Sequence, residues 1–163
     1  MEPTFRVGDL AVYPAHGVAQ IIGVETREIS SSKQTFYILK ILDNGMKIMI
    51  PTKNAAAVGL RELIREEEVD EVFEILKSRE VSVEGQTWNR RYREYTEKIK
   101  TGSILEIAKV LRDLFVLKGD KELSFGERKM LDTARNLLVK ELSIARSHSE
   151  EKIMEELRHI FTH

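Results

Sequence analysis

Two periods of hydrophobic residues divide this chain. Up to about residue 60, short apolar runs rich in β-branched and aromatic residues alternate with polar turns, which is typical of β-strands. From about residue 61, apolar residues recur every three or four positions, as they do in amphipathic helices. We therefore predict an α+β protein, with a small bent β-sheet or barrel over residues 1–60 and an α-helical bundle over residues 61–163.

The first half contains four or five predicted strands. Apolar runs lie near residues 7–13, 18–24, 36–42 and 46–50, and polar connections lie at 14–17 and 30–33. Asn44 and Gly45 separate the last two runs, which predicts a tight hairpin with positive φ at both turn residues.

The second half contains several predicted helices. Val69, Val72, Phe73 and Leu76 mark a short one, and residues 88–100 form another that Gly102 ends. Ser103 and Ser124 are each followed three residues later by glutamate, the capping-box spacing at a helix start. The helix after Ser103 is apolar nearly all round, so we place it in the middle of the bundle.

Residues 88–93 have the most distinctive composition in the chain. They hold its single tryptophan, three arginines and a tyrosine, with no carboxylate. A flat ring among guanidinium groups can press on a base step while its neighbours hold phosphates, which predicts a DNA contact. The alternative is a core tryptophan, because Trp88, Tyr92, Tyr95 and Ile99 form one stripe at helical spacing.

Composition and charge limit the function further. The chain has no cysteine, no apolar run near the ~20 residues that span a bilayer, and no secretion-signal pattern at its start, which predicts a cytoplasmic protein without membrane contact. Its net charge is −1, and three arginines predict a salt slope of only about −3 for DNA binding. Such a surface binds free duplex weakly, so something else must deliver it to DNA.

The titratable residues predict neither catalysis nor a metal site. His159 and His163 have the i, i+4 spacing of helical metal ligands, but no third ligand is indicated. No nucleophile, base or phosphate-binding loop pattern is present, so we expect a binding protein without cofactor, metal or small-molecule substrate. The enzymatic alternative requires a pocket between the two halves with convergent titratable groups.

Several motifs in one register resemble the CarD/CdnL family of bacterial transcription regulators. In the first half these are Phe5-Arg6-Val7-Gly8-Asp9, Val12-Tyr13-Pro14-Ala15-His16-Gly17-Val18, Glu25-Thr26-Arg27 and Ile50-Pro51 before Asn54. In the second half they are Trp88-Asn89-Arg90-Arg91-Tyr92, Leu123-Ser124 and Gly126-Glu127-Arg128-Lys129-Met130-Leu131. The resemblance covers nearly the whole chain.

The resemblance implies a Tudor-like first half that docks on the β subunit of RNA polymerase, and a helical half that meets promoter DNA. In that family a tryptophan wedges into the minor groove at the upstream edge of the transcription bubble, which implies stabilisation of the open complex without sequence readout. Carried over by position, Trp88 is the wedge. Arg90, Arg91 and Arg93 are the phosphate anchors, and Arg27, Leu39, Met49 and Pro51 face the polymerase.

Two departures and two alternatives accompany this resemblance. Some relatives have arginine in place of Met49, so a contact that is ionic in them would be apolar here. Many relatives have glycine in place of Ala19. The alternative to polymerase contact for Leu39 and Met49 is that their side chains are buried in the core of the hairpin. On the helical side, the alternative for each arginine is a solvated helix face. We expect Tyr92, Tyr95 and Ile99 to pack inward while Trp88 projects past the bundle's edge.

The alternative function is a protein–protein adaptor, in which the helical half binds another regulator and Trp88 is the hot spot. We expect a monomer, because the predicted fold needs no partner chain.

Overall fold

The β-branched runs of the first half form one bent antiparallel sheet. A computed structural model describes residues 5–78, 88–118 and 122–161 of the chain. Four strands lie in the order β1 (Leu10–Tyr13), β2 (Gly17–Ile29), β3 (Ser32–Ile41) and β4 (Lys47–Pro51). A register shift between Ile21 and Gly23 introduces an irregularity that bends β2. The predicted bent β-sheet followed by helices is confirmed.

The two hairpin connections differ from the sequence prediction. The turn with two left-handed residues joins β2 to β3, where Ser30 and Ser31 have φ of 50° and 67°. In the β3–β4 loop Gly45 has φ of 74°, whereas the prediction of positive φ at Asn44 is wrong. Asn44 instead accepts a hydrogen bond on Oδ1 from the backbone N–H of Met46 at 2.9 Å, which stabilises a longer loop.

Alternation along the strands sets the core of the sheet. Side chains two residues apart share a face, so every second residue of β3 points inward. The buried cluster on that face consists of Phe5, Ala11, Ala19, Ile21, Tyr37, Leu39, Ile41, Ile50, Ala55 and Leu60.

Five helices form the second half of the chain. They are α1 (Val69–Lys77), α2 (Trp88–Lys100), α3 (Ile104–Lys118), α4 (Phe125–Arg146) and α5 (Glu150–Phe161). Gly102, with φ of 73°, follows α2 as the sequence predicts. Ser124 and Glu127 form a complete capping box at the start of α4.

Helix α3 packs against α1, α2 and α4, in agreement with its nearly continuous apolar surface. It also carries a buried ion pair, in which Arg112 Nη2 lies 2.9 Å from Asp113 Oδ1. On α4, the buried carboxylate of Glu141 accepts a hydrogen bond from the backbone N–H of Ile64 at 2.8 Å. The buried charges of Arg112, Asp113 and Glu141 are therefore hydrogen-bonded, as burial requires.

The chain divides into two units, Met1–Leu63 and Ile64–His163. Each unit has its own apolar cluster. Among the described residues, no helix combines the length and the apolar character that crossing a membrane requires.

Candidate functional site

The first candidate surface is the outer face of the sheet. Residues paired directly across antiparallel strands point to the same side. Met49 pairs with Ile38 and Pro51 pairs with Phe36, and each pair lies on the side opposite the core residues Tyr37 and Leu39. Met49 is 40% exposed and Pro51 is partly exposed, so β3 and β4 present an apolar strip there.

Arg27 lies on the same face as this strip. Glu25 pairs with Phe36, and Arg27 follows two residues later on β2. The Arg27 guanidinium donates to the Glu25 carboxylate at 3.0 Å, and both side chains are about half exposed. An exposed pair of this kind contributes roughly 0–1 kcal/mol, so Arg27 can exchange Glu25 for a partner's carboxylate at little cost.

Leu39 does not belong to this surface. It pairs with Ile21 on β2 and Ile48 on β4, and its side chain is 0% exposed within the sheet core. The physical reason is the strand period: Leu39 follows the outward Ile38 by one residue and therefore points inward. Its expected place on a docking surface does not agree with this burial, so we remove it from the proposed surface.

Ile38 completes the strip and is partly exposed, whereas Phe36 points to the same side but is only 8% exposed; neither was singled out from the sequence. We call the set Arg27, Ile38, Met49 and Pro51 the outer face. The signal that could have found them is the alternation in Phe36-Tyr37-Ile38-Leu39, once one member is assigned to the core.

The second candidate surface surrounds Trp88, the first residue of α2. Its indole is partly buried and lies against the first turn of α4, where a Cβ placed on Gly126 would be 3.5 Å from the indole Cζ2. The absence of a side chain at Gly126 lets the ring approach the helix backbone. A glycine in the first turn of a predicted helix is the sequence signal for such an approach.

Tyr92 is more exposed, and Trp88 more buried, than the sequence predicts. Tyr92 is 48% exposed and meets the indole edge-on, with ring centroids 5.7 Å apart. Tyr95 and Ile99 are buried as expected, but Trp88 does not project freely past the bundle's edge. The indole buries part of its large surface on α4 and leaves the smaller Tyr92 ring half in solvent.

The three arginines of this motif lie in different environments. Arg91 is largely buried: its guanidinium carbon lies 5.4 Å from the indole centroid, and Nη1 lies 4.0 Å from Glu127 Oε2. Arg90 and Arg93 are exposed, as are Arg128 and Lys129 on the first turns of α4. Arg91 is therefore placed to hold the indole, whereas Arg90 and Arg93 have the exposure that a phosphate contact requires.

Tyr95 lies one turn below this cluster. Burial, and then the nearby Asp113 carboxylate, raise the pKa of Tyr95 well above its ordinary value, while the Arg91 guanidinium opposes the change. The phenol therefore stays neutral and serves as core beneath the exposed residues of α2.

A separate cleft of about 520 Å³ lies in the helical unit between α1, α4 and α5. Arg146 crosses it, with Nη2 3.0 Å from Asp70 Oδ1 and its guanidinium carbon 5.0 Å from the Phe73 ring centroid. The cleft carries both signs of charge; its other lining residues are Lys77, Lys152, Glu155, Glu156, His159 and Ile160.

Within residues 5–78, 88–118 and 122–161, no group of three acidic or histidine side chains is arranged to hold a metal ion. His163, half of the i, i+4 histidine pair, lies outside the described residues.

The chain thus presents two candidate surfaces, an apolar sheet face in one unit and an aromatic ring among cations in the other. Two family models match it: the CarD-like/TRCF RID domain over residues 5–64, and the CarD C-terminal domain over residues 71–158. The chain therefore belongs to the CarD-like family of transcription regulators.

One relative that spans most of this chain agrees with this membership, and two solved domains resemble part of it. A Bacillus subtilis (strain 168) protein named "Putative transcription factor YdeB" is 36% identical over 149 residues, covering 91% of this chain and 97% of that protein. CdnLNt from Myxococcus xanthus is 50% identical and covers 39% of this chain and 90% of that structure, with a TM-score of 0.33. The N-terminal domain of Myxococcus xanthus CarD is 30% identical and covers 36% and 79%, with a TM-score of 0.32.

Proposed function

We propose that this protein docks on the β subunit of RNA polymerase and stabilises the promoter open complex through DNA contact at the upstream bubble edge. The outer face makes the docking contact, and the surface around Trp88 makes the DNA contact. The observation that carries the proposal is the partly exposed Trp88 indole flanked by exposed arginines, in a unit matched by the CarD C-terminal family model.

The outer face has the chemistry of a docking surface. It combines an apolar strip, with Met49 40% exposed, and a cation whose present partner, Glu25, is exposed. Apolar area supplies affinity, while an exposed charge at the edge sets orientation and association rate. The match to the CarD-like/TRCF RID domain supports RNA polymerase as the partner.

The DNA contact acts by preferring one state of the promoter. A ligand shifts an equilibrium only by binding one state more tightly than the other. An indole edge that fills a widened minor groove has such a preference for melted DNA. Aromatic contacts with bases contribute roughly 1–3 kcal/mol, which corresponds to about fivefold to 150-fold in open-complex occupancy.

Docking explains how a protein with a net charge of −1 acts on DNA. A tether through the polymerase raises the local concentration of the helical surface to about the millimolar range, so weak intrinsic affinity suffices. Arg90 and Arg93 are exposed for contact with phosphates, which carry no sequence information. The proposed contact is therefore independent of promoter sequence.

The test measures the lifetime of open complexes after a competitor is added, with bacterial RNA polymerase holoenzyme and the full chain. Trp88→Ala should shorten the lifetime at least fivefold while pull-down of the β subunit is unchanged. Arg27→Glu should weaken pull-down and lose the lifetime effect at low protein concentration. Lys33→Glu, a charge reversal of another exposed residue near the β2–β3 turn, is the control for Arg27.

An unchanged lifetime with Trp88→Ala would reject the DNA contact. If Trp88→Ala instead abolishes capture of another regulator and leaves the lifetime intact, the chain is the protein–protein adaptor. Undiminished pull-down by Arg27→Glu would remove Arg27 from the docking surface.

A further inference from the structure

Phe125 is exposed to a degree that packing does not explain. It is the first residue of α4 and is 85% exposed, the highest value among the large apolar side chains that the structure describes. The other five phenylalanines are buried or partly buried. An exposed phenylalanine ring offers ~150–250 Å² of apolar surface that a partner can bury.

The backbone on both sides of Phe125 is held in place. Ser124 Oγ accepts from the N–H of Glu127 at 3.3 Å, and Glu127 Oε1 accepts from the N–H of Ser124 at 3.1 Å. These two bonds enclose Phe125 within the capping box. The Phe125 ring therefore projects from a backbone that is already ordered, which lowers the conformational entropy lost when the ring binds a partner.

Phe125 also adjoins the Trp88 surface. Its neighbour Gly126 lies against the indole, since a Cβ placed on Gly126 would be 3.5 Å from the indole Cζ2. Consecutive Cα atoms are ~3.8 Å apart. The indole ring therefore lies within about 10 Å of the Phe125 Cα. Base pairs stack about 3.4 Å apart, so the two rings can reach DNA within about three base pairs.

The charges around Phe125 favour a polyanion. Arg128 and Lys129 lie three and four residues after Phe125, on the same side of α4, and both are exposed, while Glu122 is exposed three residues before it. The carboxylate in this turn, Glu127, is engaged by the capping box and by Arg91. A phenylalanine followed by exposed cations suits a groove bordered by phosphates better than an acidic or neutral protein surface.

We propose that Phe125 is a second apolar contact with promoter DNA, inserted in the minor groove beside the Trp88 contact. This inference rests on the proposed function, because docking on polymerase brings α4 to the bubble edge. Two rings a few base pairs apart hold the distorted groove at two points. Closing the bubble then requires both to leave.

The experiment compares four variants in the open-complex lifetime assay: Phe125→Ala, Phe125→Leu, Trp88→Ala and the control Asn136→Ala. Asn136 is exposed on the same helix about three turns further along. Phe125→Ala should shorten the lifetime roughly fivefold, Phe125→Leu less, and Asn136→Ala not at all. Because Phe125 is exposed, circular dichroism and melting temperature should match those of the unmodified protein.

A photo-crosslinking amino acid at position 125 identifies the partner in the same complexes. Crosslinks to promoter DNA near the upstream bubble edge support the inference. Crosslinks to a polymerase subunit alone, or a lifetime unchanged by Phe125→Ala when Trp88→Ala shortens it, overturn the inference and leave the proposed function standing. A lifetime unchanged by both variants overturns both.

Discussion

The Arg91 guanidinium lies over the Trp88 indole, 5.4 Å from its centroid, and its Nη1 forms an ion pair with Glu127 Oε2 at 4.0 Å. Glu127 in turn closes the capping box of α4. The start of one helix therefore orients the aromatic ring at the start of another. Arg91 is better described as a positioning residue than as a phosphate anchor, because its side chain is largely buried.

We predict that Arg91→Met loosens the indole. The variant keeps much of the side-chain volume but removes the cation–π contact and leaves Glu127 without its ionic partner, so the free energy of unfolding should fall by about 1 kcal/mol. Trp88 is the only tryptophan, so intrinsic fluorescence reports this site alone. Its emission should shift to longer wavelength. Arg93→Met, at an exposed position, is the control. If the emission spectrum of Arg91→Met is the same as that of Arg93→Met, Arg91 does not position the indole.

We predict that a substitution at Leu39 lowers stability, whereas a substitution at Met49 weakens docking. Leu39→Ala creates a cavity in the sheet core and should lower the free energy of unfolding by about 2–5 kcal/mol. Met49→Ala, at an exposed position, should change stability by less than about 0.5 kcal/mol yet weaken binding to the polymerase β subunit. Urea unfolding and pull-down measure the two effects. Full binding by Met49→Ala would exclude Met49 from the docking surface.

We predict that two left-handed glycines respond differently to the same substitution. Gly45 and Gly59 have φ of 74° and 81°, so alanine strains the backbone at both, at about 1–2 kcal/mol. At Gly59 the new Cβ would also lie 2.9 Å from Pro14 Cγ, whereas at Gly45 it meets no atom within 4 Å. Thermal unfolding should therefore show the larger loss for Gly59→Ala. Equal losses would mean that Pro14 moves aside freely.

We predict that Tyr95 makes stability fall at alkaline pH. Burial raises its pKa above the ordinary value near ~10, so the folded state keeps the proton that the unfolded state releases. This contribution is complete below about pH 10 and is lost as the pH rises toward the folded-state pKa, at up to ~1.4 kcal/mol per pH unit.

Comparing urea unfolding of the wild type and Tyr95→Phe at pH 9 and pH 11 isolates this effect, because all other titrating groups are common to both proteins. The wild type should lose more stability over this interval than Tyr95→Phe. Parallel losses would mean that the phenol ionises in the folded state as readily as in the unfolded state.

Local patterns predicted the elements where one signal dominates. The bounds of α2 agree with the structure because Gly102 ends the helix by adopting positive φ, and α4 begins where the Ser124 capping box predicts. The β3–β4 loop was predicted less well. Asn44 satisfies a backbone N–H with its side chain and so needs no left-handed conformation.

The amino-acid sequence by itself determined the α+β order, the approximate strands and helices, and the family, because these depend on residue period, caps and motifs that lie close together in the chain. Only the tertiary structure decided which side of each element meets solvent. Leu39 turns into the sheet core while Met49 stays outside, and the indole of Trp88 rests on Gly126 while Tyr92 and Phe125 are left exposed. The physical reason is that strand register and helix packing bring together residues far apart in the chain, and burial is settled by that competition for contact rather than by the hydrophobicity of any one residue.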